Sequence, residues 1–139
     1  MNAREQASEA EDARSLDLHL PATPTVASLV RRALKYLELP TEQLEVAQLL
    51  ASELVTNSIK HSGLDASDEV RVRAARRGER LRVDVYDRST TELHPLAGSI
   101  RPVPGSQSGW GLYLVDRLAD RWGTGPGRYW FEIEDGNGN

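Results

Sequence analysis

The sequence predicts an α+β fold, a two-layer α/β sandwich in which helices pack on one face of a mixed, mostly antiparallel sheet. Three observations lead there. The alternating runs "EVRVRAA" and "RLRVDVYD", joined by "RRGE", read as an antiparallel hairpin with Gly78 in its turn. Apolar residues at helical spacing lie on both sides of that hairpin. The resulting order is strand, helix, helix, two strands, loop, helix, two strands.

Residues 1–14 are polar and carry no apolar face, so a disordered tail is expected ahead of a folded domain over 15–134, with a loose tail at 135–139. In "SLDLHLP" Leu16, Leu18 and Leu20 alternate with polar residues, the period of a half-buried strand, which Pro21 and Pro24 end. Thr25 is placed to cap a helix whose apolar positions are Val26, Leu29, Val30, Ala33, Leu34 and Leu37, up to the break at Pro40. Thr41 then reads as a plain N-cap, because Leu44 and not Glu stands three residues on. The long helix that follows ends near Gly63, and Asp87 closes the second strand of the hairpin.

Residues 88–108 have no sustained period and include three prolines and two glycines, the signature of a lid or binding loop. From Gly109 onward "GWGLYLVDRLADRW" is helical, with Leu112, Val115, Leu118 and Ala119 on one side. Two last strands are expected, near 121–124 and at "RYWFEI", with "GPG" as the turn.

At 139 residues and 39% hydrophobic content the chain supports one core. No apolar run is long enough to span a membrane and no basic-then-apolar leader opens the sequence, so a cytoplasmic protein is expected. The absence of cysteine excludes disulfides, Cys-type zinc sites and thiol nucleophiles. A net charge of -4 argues against nucleic acid as a ligand. The pairs Arg31-Arg32 and Arg76-Arg77 read as solvated faces, and Trp110, Trp122 and Trp130 as core or interface filler. His19 and His94 are isolated, and nothing reads Gly-x-Ser-x-Gly.

The stretch "ELVTNSIKH" carries the chemistry. At about 100° per residue, Val46, Ala47, Leu50 and Leu54 form the core arc of the long helix, with Glu45, Gln48, Ser52 and Thr56 roughly opposite. Asn57 and His61 fall inside the core arc and Glu53 at its edge, so polar groups continue the buried stripe. A carboxylate there can act as a general base, an amide oxygen can bind Mg²⁺ without adding charge, and Lys60 or His61 can meet phosphate. The alternative is a solvated helix edge at Glu53 and Lys60, with Asn57 capping a neighbouring loop. In "GWGLYLV", Gly109 and Gly111 at a helix start either admit an anion to the backbone or merely permit a turn. Asp87 either accepts a hydrogen bond from an exocyclic amine such as that of adenine or initiates the turn.

Taken in order, Glu53-x-x-x-Asn57-x-x-Lys60-His61, Asp87, a lid-like loop and Gly109-x-Gly111-Leu112 resemble the N, G1 and G2 boxes of the GHKL ATPase superfamily. The resemblance covers residues 16–133 and is nearest to bacterial anti-sigma-factor serine kinases of the small stand-alone actinobacterial type. It implies ATP and Mg²⁺ as cofactors, Asn57 as the Mg²⁺ ligand, Glu53 as the catalytic base for a serine hydroxyl and Asp87 as the reader of the adenine amine. It further implies a nucleotide site that includes Lys60, His61, Ser89, Arg101, Gly109, Trp110, Gly111 and Leu112. The implied partners are an anti-anti-sigma protein as substrate, a sigma factor, and a second copy of the chain. The family's Asp-x-Gly-x-Gly stands here as Asp87-Arg88-Ser89-Thr90-Thr91, and Arg101 is the lid's only cation besides Arg88. The runner-up function is a non-catalytic module of this fold that sequesters a sigma factor or other partner.

Overall fold

The computed structural model describes residues 13–61, 63–87 and 110–135. The chain runs through β1 (Ala13–Pro21), α1 (Val26–Leu34), a 3-10 turn (Lys35–Leu37), α2 (Thr41–His61), β2 (Glu69–Arg77), β3 (Arg80–Tyr86), α3 (Trp110–Leu118), β4 (Arg121–Gly125) and β5 (Arg128–Glu134). The strands form one sheet in the order β1-β2-β3-β5-β4. The expected antiparallel majority extends to all four pairings, because β5 returns between β3 and β4 and separates the two strands that run in the same direction.

Period-two alternation sorts the sheet into two faces. Val70, Val72 and Ala74 of β2, Leu81, Val83 and Val85 of β3, and Tyr129, Phe131 and Ile133 of β5 are buried under the helices. Ala47, Leu50, Ala51, Leu54 and Val55 of α2 cover them, and Val26, Val30 and Leu34 of α1 complete the core. The arc of α2 opposite this stripe is covered in part by α1, since Gln48 donates to the Arg31 carbonyl at 2.9 Å and Arg31 donates to the Ser52 hydroxyl at 3.1 Å.

The outer face is charged and aromatic. The Trp130 indole lies against Gly123, where an added Cβ would come within 2.7 Å of its nitrogen, and the Arg82 guanidinium sits 4.2 Å from the ring centroid. Trp122 turns the other way, packs partly buried on the core and donates to Asp116 at 3.0 Å.

Local details correct the sequence reading at three places. The Thr25 hydroxyl makes no cap bond to α1 and pairs with the Thr23 hydroxyl at 2.8 Å, because Thr25 already has helical backbone angles. The helix α2 begins at Thr41 itself, with the Leu44 N–H bonded to the Pro40 carbonyl at 2.8 Å, so Pro40 stands before the first turn. Arg76 is not a solvated charge. Strand alternation turns it to the helix face, where it donates to the carbonyls of Leu37 at 3.1 Å and Glu38 at 2.7 Å and closes the end of the 3-10 turn. The turn of the hairpin is as expected, with Gly78 at φ 59°.

The directions of α2 and α3 set up the site. At one end of the sheet Gln43, in the first turn of α2, donates to the carbonyls of Glu79 at 2.9 Å and Ile133 at 3.1 Å. Leu118 and Asp120, at the end of α3, line the same small pocket as Gln43 and Val46. The helices therefore run antiparallel, and the start of α3 meets the later turns of α2. Those turns lead through a short connection to Glu69, opposite Pro21, at the edge where β3 ends and β5 begins.

Gln43→Leu keeps the side-chain bulk and strips donors from two carbonyls, so it is expected to cost about 1–3 kcal/mol in urea unfolding. An unchanged midpoint would show that water replaces the amide at no cost.

Candidate functional site

Glu53 and Asn57 lie one helical turn apart on the side of α2 that receives α3. Contact is made through Gly111, in the first turn of α3. A Cβ at Gly111 would lie 2.8 Å from Glu53 Oε2, 3.1 Å from Glu53 Cβ and 3.2 Å from Asn57 Nδ2. A methyl there would make the Glu53 carboxylate move and press on Asn57. Leu112, the next residue, is 3% exposed and anchors the start of α3 in the core, so Gly111 is held against the polar pair.

This contact brings three kinds of group together. The first-turn N–H groups of a helix have no intrahelical acceptors and form the positive end of its dipole. Those of α3 begin at Trp110, beside the Glu53 carboxylate and the Asn57 amide. Asn57 is only 6% exposed. The donor set, one neutral amide oxygen, one carboxylate and a helix N-terminus, fits a magnesium-bound polyphosphate.

Asp87 follows β3 at the same end of the sheet, with its N–H bonded to the Gly127 carbonyl at 2.9 Å. Continuing the alternation of Val83 and Val85 places it on the helix-covered face, half-buried. Lys60 is exposed and borders a groove of about 290 Å³ between α1 and α2, with Thr23, Pro24, Ala27, Val55, Thr56 and Ile59. Ser89, Arg101, Gly109 and the lid 88–108 lie outside the described residues, as do the side chains of His61 and Trp110. The structure thus joins Glu53, Asn57 and Gly111 in one seam, sets Asp87 at the same end of the sheet, and leaves Lys60 at the surface.

A family model described as "Histidine kinase-like ATPase domain" matches residues 18–129. The chain belongs to that family. The matched span begins in β1 and ends in β5, and so takes in every residue of the seam. No curated protein matches the chain. Among solved structures, the crystal structure of the RsbU and RsbW domains of Rv1364c from Mycobacterium tuberculosis aligns with a TM-score of 0.57 and 22% identity over 86% of this chain. The chain spans 31% of the length of that protein, and the likeness shows a shared fold.

Two polar groups of this histidine kinase-like ATPase domain escape the sequence reading. Ser58, beside Asn57, is fully buried and its hydroxyl has no partner among the described residues. Tyr129 is 1% exposed, and burial pushes its phenol up to about 12, with the charge of Asp87 adding to the effect. The alternation of "RYWFEI" puts Tyr129 on the core face with Phe131 and Ile133, but a tyrosine at such a position reads as apolar filler until its neighbours are known.

Gly111→Ala should lower stability by about 1–3 kcal/mol through overpacking, and adding Glu53→Ala, which removes the nearest atom, should recover part of the loss. Additive costs in the unfolding free energies would contradict the contact. Tyr129 also gives a pH signature. Its folded pKa of about 12 lies above the unfolded value of 10.0, so its contribution is complete below pH 10.0 and is lost as pH rises toward about 12. The loss is on the order of 2–3 kcal/mol, and Tyr129→Phe should flatten the decline in denaturation midpoint over that window.

Proposed function

We propose that this domain binds ATP with Mg²⁺ and acts as an anti-sigma-factor-type protein serine/threonine kinase, regulating transcription by partner switching in the cytoplasm. The observation that carries the reading is the packing of Gly111 on Glu53 and Asn57, which supplies a base, a metal-compatible amide and a helix N-terminus at one place. The fold likeness to a structure that contains an RsbW domain supports it.

In this reading the Asn57 amide oxygen would hold Mg²⁺, which would offset the charge of the phosphates. The N–H groups at the start of α3 face the phosphate oxygens, Gly109 and Gly111 let the backbone approach, and Asp87 accepts from the adenine amine. Lys60, His61 and Arg101 supply the cations and polar groups of the phosphate side, with Ser89, Trp110 and Leu112 completing the cradle. Glu53 accepts the proton of the acceptor hydroxyl as its oxygen bonds to the γ-phosphorus and the bond to the leaving ADP breaks. The acceptor is a serine or threonine of an anti-anti-sigma protein, and a sigma factor competes for the kinase, which works as a homodimer.

Titration calorimetry with ATP, with and without Mg²⁺, tests the site. Binding that depends on Mg²⁺ and is weakened at least tenfold by Asn57→Ala is expected. Glu53→Ala should spare ATP binding and reduce phosphoryl transfer to a serine-bearing anti-anti-sigma protein by about 10²–10⁴, read by intact mass. Full transfer by that variant would remove Glu53 from the mechanism. A folded wild type that binds no ATP would instead favour a module that sequesters its partner without catalysis, for which the missing glycines at 89 and 91 are the sequence argument.

A further inference from the structure

The sheet face turned away from the helices carries a cation that its neighbours do not use. Arg73 stands in the middle of β2, directly across from Asp17 of β1 on one side and Asp84 of β3 on the other. Cross-strand residues of opposite charge ordinarily pair. Here both carboxylates are taken. Asp17 accepts from Arg71 at 2.9 and 2.7 Å, and Asp84 accepts from Arg82 at 3.1 Å on each of its oxygens. Arg73 is exposed and forms no salt bridge among the described residues. Two residues further along β2 the face falls away. Ser15 and Ala75 are register partners with small side chains, and beside them lies a hollow of about 410 Å³ bounded by Asp17, Arg73, Arg82 and Asp84.

We infer that this hollow is a docking site for a protein partner, and that the fork of Arg73 receives there a glutamate or aspartate side chain of an acidic segment. The inference is independent of the nucleotide reading. A guanidinium presents paired N–H donors that match a carboxylate, and Ser15 brings a hydroxyl donor to the same hollow. Asp17 and Asp84 limit the charge of the occupant. Each is paired with its own arginine, yet a dianionic phosphate beside them is repelled about twice as strongly as a carboxylate. A free carboxylate ion is too small an occupant, because one exposed ion pair contributes little. A peptide segment gains more contact on the same face, where half-buried Trp130 and Tyr86 carry the guanidinium groups of Arg82 and Arg71 at 4.2 and 5.9 Å from their ring centroids. Trp, Tyr and Arg are the side chains that concentrate binding energy at interfaces.

Fluorescein-labelled hexaglutamate, titrated with the full chain at low ionic strength and with excess Mg-ATP to occupy any nucleotide site, tests the hollow by fluorescence anisotropy. Saturable binding is expected, weakened about five- to tenfold by Arg73→Gln. Ala75→Leu fills the hollow without changing the charge and should weaken binding as much. Lys35→Gln removes the same charge from the exposed 3-10 turn and should leave the affinity within about twofold. Equal losses in Arg73→Gln and Lys35→Gln would reduce the binding to net charge and overturn the proposal, as would a wild type that binds no peptide. At matched ionic strength acetate should displace the peptide at least as well as phosphate does. Stronger displacement by phosphate would make the hollow a phosphate site and overturn the carboxylate assignment. Sedimentation of the wild type decides the last alternative, since a dimer that Arg73→Gln dissociates would give the hollow to a second copy of the chain and overturn the acidic partner.

Discussion

The site depends on the approach of α3 to α2 with only a hydrogen between the Gly111 backbone and the side chains of Glu53 and Asn57. Helix pairs ordinarily meet through apolar ridges set into grooves, at axial separations that side chains dictate. Here the far ends of the two helices keep that form, with Val46 near Leu118, while the near ends replace it with glycine over a carboxylate and an amide. The apolar ends hold the polar ends in place. Leu54 and Val55 on one helix and Leu112 and Val115 on the other are buried, so the functional pair is flanked on both elements by residues that cannot move far.

The sheet beneath supplies the other constraint. Its covered face is apolar along β2, β3 and β5, whereas the outer face carries ion pairs such as Arg71–Asp17 at 2.7 Å and Arg80–Glu134 at 2.8 Å. The hydrogen bond from Arg71 holds the Asp17 carboxyl below its ordinary range, but both groups stand in solvent, where such pairs contribute little. Stability therefore comes from the covered face. The outer face settles register, since a slip of one residue would carry Arg82 and Trp130 into the core.

Much of this was legible before any coordinates. Alternation in "RLRVDVYD" gives β3 and its face directly, and helical spacing places Leu50, Leu54 and Asn57 on one arc of α2. What sequence alone misjudged were groups whose state is decided by a distant partner. Arg76 looks like half of a solvated pair until the end of the 3-10 turn comes to rest beside β2. Ser52 and Gln48 look solvent-facing until α1 lies across them. The spacing of Glu53 and Asn57 marks them as unusual, yet what packs against them is a glycine 54 residues beyond Asn57. Tyr129 is the extreme case, because its phenol is pushed up by burial in the core and, in smaller part, by the charge of Asp87 on the neighbouring strand.

That neighbour relation bears on the departure of the chain from the Asp-x-Gly-x-Gly pattern. Glycines after a strand-end aspartate open space by removing side chains from the strand that carries it. Here the residues after Asp87 have side chains, but the position opposite, just before β5, is Gly127, reached by a backbone bond at 2.9 Å. A gap on the partner strand lies on the same edge of the sheet as a gap on the strand itself. It also shares that edge with the end of α2, where Asn57 is buried and the buried Ser58 hydroxyl has no partner among the described residues. An aspartate beside a glycine, a buried phenol on its diagonal, and a buried amide and an unpaired hydroxyl on the covering helix are costly to keep in a core this small. The cost has a physical rationale if a ligand's polar edge completes them.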